Sequence, residues 1–455
     1  FLSPRDLWWI WRRRFPRPVP GVVLERDDAC RERRSRILLL TEFFPADPAT
    51  TVFGVFQRLR RLFDASARVG KLNVVFLWPD NFQFNAAQTA NLRKQIESAW
   101  PVEGEVQFVT ASSGAHAEVR KYPFRSAWWL WRGACSFMHS RPTLRTAGLA
   151  QVVRLRELLL TIQPDLIICH RIGAMAPLLR MGGPLPPLVL DLDDIDHVKV
   201  ARIHGSTPGL PAALVRSAWT LLARRAERAS MRRADLSTAC SQADLDLVRP
   251  LAPRADLRVL PNTVAHARRL PAADRPVAMF VGIAPYPPNR EAMRRLVRTL
   301  WPRVRARCPD ATLLIAGGGS AALLKDEDCT GVEVLDFVAD LDAVYARARI
   351  ALCPVMAGSG TRIKIIEAAF RGRPVVSTTI GAEGLRFEDG KEILLADTDE
   401  AFADAVCRLF GDAALHARLA DAAYARATAE YDPGKMVERM AGWMRDLLPR
   451  GTGEV

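Results

Sequence analysis

The sequence is as informative in what it omits as in what it contains. No window holds the roughly 18 uninterrupted apolar residues that a membrane span needs. The opening stretch, Phe1 to Arg14, runs from an apolar patch into arginines. That order is the reverse of a secretory signal, so a cytoplasmic location is expected. The chain starts at Phe1 rather than methionine, which leaves processing, trimming or an incomplete chain open. The eight cysteines stand singly, without a C-x-x-C pair or a Cys/His cluster at metal-ligand spacing. They read as cytosolic thiols, and no metal is expected. No zinc-finger spacing or aromatic RNA-binding signature points to nucleic acid. No Ser-His-Asp order, P-loop lysine or H-E-x-x-H pattern supports a hydrolase or kinase reading.

What is present is an ordinary globular composition with a basic balance. Hydrophobic residues make up 49% and charged residues 25% of 455 residues, enough chain for two large α/β domains. A formal charge of +14 favours polyanionic partners. Much of it is arginine on helical stretches such as Ala223 to Arg228, where a solvated face is the plain explanation. Trp/Arg-rich segments at 7–14 and 124–132 suit either a packed core or an anionic membrane surface. Peripheral contact with the inner face of a membrane is therefore an expectation.

Short apolar runs recur between helical stretches. Ile37 to Leu40, Leu72 to Leu77, Leu166 to His170 and Leu188 to Asp194 read as buried parallel strands in the first half. Ala278 to Gly282, Thr312 to Gly317, Val332 to Leu335, Ile350 to Cys353 and Pro374 to Ser377 repeat the pattern in the second. Such alternation predicts doubly wound parallel sheets, with a proline-marked break between Leu260 and Pro271. The expected organisation is a basic, aromatic lead over 1–34, an acceptor-side Rossmann-like domain over 35–268 and a second Rossmann-like domain over 269–430. A final helix over 431–455 is expected to pack toward the first domain. Two such domains facing each other place a cleft at the carboxyl ends of both sheets.

The most informative segment is Gly358-Ser-Gly-Thr-Arg-Ile-Lys-Ile-Ile-Glu367, between a strand and a helix. Gly358 and Gly360 let backbone amides approach a ligand, and the helix that follows presents free N–H groups at its positive end. Arg362 and Lys364 fall at that end, where cations are unfavourable unless an anion is also there. Glu367, one to two turns in, suits the two hydroxyls of a ribose.

This loop resembles the donor-site signature of family 4-type glycosyltransferases of the GT-B fold, in a subgroup carrying G-x-G-T-R-x-K-x-x-E. The resemblance extends to Val259-Leu-Pro-Asn262, to Phe280-Val-Gly282 with Tyr286-Pro-Pro-Asn289, to Val338 to Leu341 and to Gly381 to Leu385. It covers about residues 35 to 430 and is strongest after 255. The resemblance implies two Rossmann-like domains, retention of anomeric configuration, no metal or cofactor, and a nucleoside diphosphate sugar as donor. A glycan or lipid-linked acceptor hydroxyl, in polysaccharide or glycoconjugate assembly, is the implied second substrate.

Residue by residue, the resemblance implies a donor site of Gly54, Gly282, Gly358, Ser359, Gly360, Thr361 and Glu367. Glu367 matches the second Glu of the family's E-x7-E motif, and Ser359 stands where the first would fall. Pro287, Pro288 and Asn289 occupy the region of the family's usual Arg/Lys pair, so Arg362 and Lys364 are the implied substitutes. Lys364 is the first choice to offset leaving-group charge. His170 matches a cleft-facing strand-end residue. Asp193 and Asp194 either position the acceptor or, with Asp191, cap the next helix. Base selection is assigned to the loops near Gly317 to Gly319 and Phe337. A GT-B sugar-nucleotide epimerase and a non-catalytic binding subunit are the alternatives.

Overall fold

The computed structural model describes residues 34–44, 54–78, 86–110, 149–203, 210–264, 268–271, 273–358 and 360–448. The lead through residue 33, the aromatic segment at 124–132 and Ser359 lie outside the described residues.

Two all-parallel sheets organise the chain. The first holds β1 (Arg36–Thr41), β2 (Lys71–Trp78), β3 (Val106–Thr110), β4 (Leu166–His170), β5 (Leu188–Asp191), β6 (Leu236–Ala239) and β7 (Leu257–Val259). They lie in the order β3-β2-β1-β4-β5-β6-β7. The second holds β8 (Val277–Val281), β9 (Thr312–Ala316), β10 (Val332–Asp336), β11 (Ile350–Cys353), β12 (Val375–Ser377) and β13 (Leu394–Leu395). Their order is β10-β9-β8-β11-β12-β13. Each sheet therefore reverses its winding at one place, between β1 and β4 in the first and between β8 and β11 in the second. Loops after those strands diverge to opposite faces and leave a crevice at the carboxyl ends.

Most strand residues are apolar because helices cover both faces. Leu38 and Leu40 enter one core while Ile37 and Leu39 enter another on the opposite face, as the twofold alternation of a strand requires. Helices α1 (Gly54–Val69), α2 (Ala86–Ala99), α3 (Leu149–Ile162), α4 (Arg171–Arg180), α5 (Asp196–Ile203), α6 (Leu210–Arg233) and α7 (Gln242–Val248) serve the first sheet. The second is served by α8 (Pro287–Arg295), α9 (Trp301–Arg307), α10 (Ser320–Leu324), α11 (Leu341–Arg347), α12 (Ile363–Phe370), α13 (Asp399–Gly411) and α14 (Ala413–Glu430). The last helix, α15 (Pro433–Leu447), crosses back to the first domain. Its Met436, Val437, Met440, Ala441 and Met444 share a core with Leu59 and Phe63 of α1. That spacing is one helical face, so burial of a methionine stripe ties the chain's end to its beginning.

Candidate active site

Both winding reversals direct their loops at the same place. Helix α1 follows β1 and begins at Gly54, while α12 follows β11 and begins at Ile363 with Arg362 as its N-cap. A methyl group added to Gly54 would stand 2.8 Å from Ile363 Cδ1, so the amino ends of the two helices meet across the domain boundary. First-turn amides have no partner within a helix, and they carry its positive end. Neither helix has an acidic residue in its first turn, and Lys364 adds an ammonium to one of them. Two positive helix ends that meet favour an anion between them.

The loop before α12 is shaped by glycines in conformations that side chains rarely adopt. Gly358 has φ 119° and Gly360 φ 71°. A Cβ on Gly360 would also stand 2.6 Å from Asp194 Oδ1, so the first domain presses directly on this loop. Arg202 of α5 donates to the Gly358 carbonyl at 2.8 Å and pairs in a fork with Glu383, one arm at 2.9 Å. Its hydrogen bond holds the Glu383 carboxyl below the usual range. Asn262, in the linker, donates to Thr361 Oγ1 at 3.0 Å. The Arg362 guanidinium donates to the carbonyls of Gly360 and, at 3.3 Å, of Ala357 within the same loop.

Lys364 and Glu367, three residues apart, project from the same face of α12. Lys364 Nζ lies 4.0 Å from the Phe280 ring centroid and donates to Asn289 Oδ1 at 2.9 Å. Burial pulls its pKa from 10.5 down to about 8. Glu367 is buried and accepts from Gln57 Nε2 of α1 at 2.9 Å, so the two domains share this hydrogen bond. Burial raises its carboxyl pKa, against the Gln57 bond and the Arg371 charge. Gly282 follows β8 with its backbone N–H on the Ala316 carbonyl at 2.9 Å, and a Cβ there would strike the Asn289 amide.

Opposite these lie the ends of β4 and β5. His170 is fully buried, its Nδ1 3.0 Å from Thr41 Oγ1 and its ring edge-on to Phe43. Its Nε2 has Asp193 Oδ2 at 3.7 Å and, among the described residues, no hydrogen-bond partner. Asp193, at φ 56°, accepts from Arg171 Nε at 2.8 Å. Burial would raise its pKa, but Arg171, His170 and Arg58 hold the carboxyl far below the usual range. Asp194 accepts from Arg171 at 2.7 Å and from Lys199 at 2.8 Å. Both carboxylates are thus engaged in ion pairs. Asp191 lies deeper, forked by the buried Arg58, whose other amino group reaches the Leu260 carbonyl and Asn262 Oδ1, each at 2.9 Å.

Arg58, Arg171, Lys199 and Arg202 were not singled out from the sequence. Dispersed arginines on helices resemble solvated faces, and only the fold shows which of them turn inward. Of the loops assigned to base selection, the one after β10, an edge strand of the second sheet, carries Phe337, which is exposed by 56%.

Known proteins share part of this sequence and its fold. Residues 275–412 match the family model described as Glycosyl transferases group 1. A stretch of 134 residues is 27% identical to an uncharacterized 44.6 kDa protein in the cps region of Klebsiella pneumoniae, covering 28% of this chain and 34% of that protein. Another of 132 residues is 28% identical to trehalose phosphorylase of Pleurotus pulmonarius, covering 25% of this chain and 18% of that enzyme. The matched stretches thus span about a third of the first relative and less than a fifth of the second. Among solved structures, Anabaena HepE in complex with UDP-glucose superposes with a TM-score of 0.59 at 17% identity, over 90% of this chain and 99% of that one. Sucrose-phosphate synthase of Thermosynechococcus elongatus superposes with a TM-score of 0.62 at 17% identity, over 91% and 99%. The fold is GT-B, and its second domain carries the group 1 glycosyltransferase pattern.

Proposed function

We propose that this protein transfers a sugar from a nucleoside diphosphate sugar to an acceptor hydroxyl, with the diphosphate seated between the amino ends of α1 and α12. The observation that carries this is the contact of Gly54 with Ile363, which joins two positive helix ends beside Lys364. In this reading the first-turn amides and Lys364 hold the phosphates, and Glu367 takes the ribose hydroxyls in place of the Gln57 amide. The base lies toward Gly317 to Gly319 and Phe337. The bond between the anomeric carbon and phosphate breaks, and negative charge grows on the leaving oxygen. Fixed cations and amides there lower the barrier.

The acceptor enters from the first domain, near Asp193, Asp194 and His170. The bound pairing of both carboxylates with Arg171 and Lys199 supports a front-face, retaining reaction in which the departing phosphate oxygen takes the acceptor's proton. The new bond to the acceptor oxygen forms on the face the phosphate leaves. Lys364 is assigned the main catalytic charge and Arg362 the bracing of the donor loop. HepE was solved with UDP-glucose, which supports a uridine nucleotide as the first donor to try. The Klebsiella relative's cps region supports a glycan or lipid-linked acceptor in polysaccharide assembly. Peripheral membrane association of a cytoplasmic enzyme is proposed on the net charge alone, since the Trp/Arg segments lie outside the described residues.

Incubation with a panel of sugar nucleotides and glycan or lipid-linked acceptors tests the reading. Nucleoside diphosphate release that depends on acceptor, with a product of unchanged anomeric configuration, is expected. An epimerised donor in the absence of acceptor would instead identify an epimerase, and donor binding without turnover a binding subunit.

A further inference from the structure

The cation beside the helix junction is not held where it is by α12 alone. Lys364 sits in the first turn of that helix, so the helix dipole opposes its charge, and burial opposes it further. Among the described residues its hydrogen-bond acceptor is Asn289 Oδ1, at 2.9 Å. An amide has a donor end and an acceptor end, and which of them faces the lysine decides whether the contact attracts or repels. Here the choice is forced, because Asn289 Nδ2 donates to the Ile283 carbonyl at 3.2 Å and leaves Oδ1 for Lys364.

The surroundings keep the amide in that orientation. Asn289 lies in the first turn of α8, which Pro287 and Pro288 start, and its backbone N–H is bound to the Tyr286 carbonyl at 3.0 Å. Gly282 is the residue its side chain lies against. A Cβ there would be 2.7 Å from Asn289 Cγ and 2.8 Å from Nδ2, so any side chain at 282 would displace the amide. Phe280, from the same strand, supplies the face under the ammonium at 4.0 Å. The end of β8 and the start of α8 together build a socket for a side chain that arrives from α12.

We propose that Asn289 is a positioning residue that fixes the Lys364 ammonium at the carboxyl end of β8, where it meets the donor's diphosphate. The proposal rests on the donor reading above. It gives the Tyr286-Pro-Pro-Asn289 turn a role of its own: the turn carries no cation, and instead seats one supplied from another element.

The test reads Lys364 itself as well as its ligand. In the full chain, competitive labelling of amines across a pH series, followed by peptide mass analysis, titrates Lys364 directly. Calorimetry with UDP and GDP over the same series gives affinity against pH. For the unaltered chain, labelling should break near pH 8, where the group loses its proton, and nucleotide affinity should fall above the same point. Asn289→Asp sets a carboxylate beside the ammonium and should move both breaks upward by about one to three pH units. Asn289→Leu, of similar size and without an acceptor, should move both downward.

Variants that lower affinity by one factor at every pH, with the labelling break unmoved, would show that Asn289 only supports the fold and would overturn the proposal. Should neither nucleotide bind the unaltered chain, the donor reading is what fails. The labelling arm then still decides whether Asn289 governs Lys364, and an unmoved break there sinks the proposal too.

Discussion

Lys364 carries a charge that burial opposes. Its folded pKa of about 8 lies below the ordinary 10.5, so between those values the unfolded chain binds a proton that the folded chain does not. Stability therefore rises with pH across that window, and the opposition to a charged Lys364 is fully felt below it. Lys364→Met, which keeps the length and removes the charge, should raise the melting temperature at pH 7 and flatten its rise between pH 8 and 10. Turnover should fall at the same time by more than donor affinity does, because leaving-group charge is greatest in the transition state. A melting temperature that drops at pH 7 would mean the ammonium is a structural asset. The sequence reading reached Lys364 because a cation in the first turn of a helix is anomalous without an anion. The same reasoning reached Arg362, whose guanidinium donates to the carbonyls of Gly360 and Ala357, a direction that no pattern in the chain announces.

At the scale of elements, the loop from Gly358 to Arg362 is where backbone geometry and domain contact coincide. Gly360→Ala combines a left-handed backbone, which disfavours alanine by about 1–2 kcal/mol, with a Cβ 2.6 Å from Asp194 Oδ1. Gly390, at φ 72° with nothing within 4 Å of a Cβ, supplies the matched control. Gly360→Ala should lose more stability than Gly390→Ala by denaturant unfolding, and it alone should lose nucleotide affinity. Equal affinity in the two would remove the loop from the donor site.

The strands on either side of the loop were legible from their continuous apolar runs, as was α12 from its glycine and proline punctuation. The strands that escaped are informative. Leu236-Ser-Thr-Ala239 reads as polar because Thr238 serves Asp191 from within the core and Ser237 is buried beside it. β7 and β13 are 3 and 2 residues long, too short to carry a period. Arg58 was invisible for a related reason: its partners Asp191, Leu260 and Asn262 come from other parts of the chain.

Across the whole molecule, the first domain grips the second through Gln57 with Glu367, Asn262 with Thr361, and Arg202 with Glu383 and Gly358. The arginine pair is about a third exposed, so each partner is screened and the pair contributes on the order of 0.2–1 kcal/mol. A double-mutant cycle of Arg202→Ala and Glu383→Gln should return a coupling of that size that shrinks in high salt. Small-angle scattering of Arg202→Ala should show a larger radius of gyration if this grip sets the opening of the cleft, and an unchanged radius would assign closure to the other contacts.

The claim on which all else depends is that a nucleoside diphosphate lies between α1 and α12 with its ribose on Glu367. Titration calorimetry of UDP, GDP, ADP and dTDP tests it most directly, using the unaltered chain and Glu367→Ala matched in melting temperature. The account predicts one-to-one binding of at least one nucleotide and an affinity about tenfold to a hundredfold weaker in the variant, from the loss of charge-assisted hydrogen bonds. Equal affinity in both proteins, or no binding of any of the four, would contradict it.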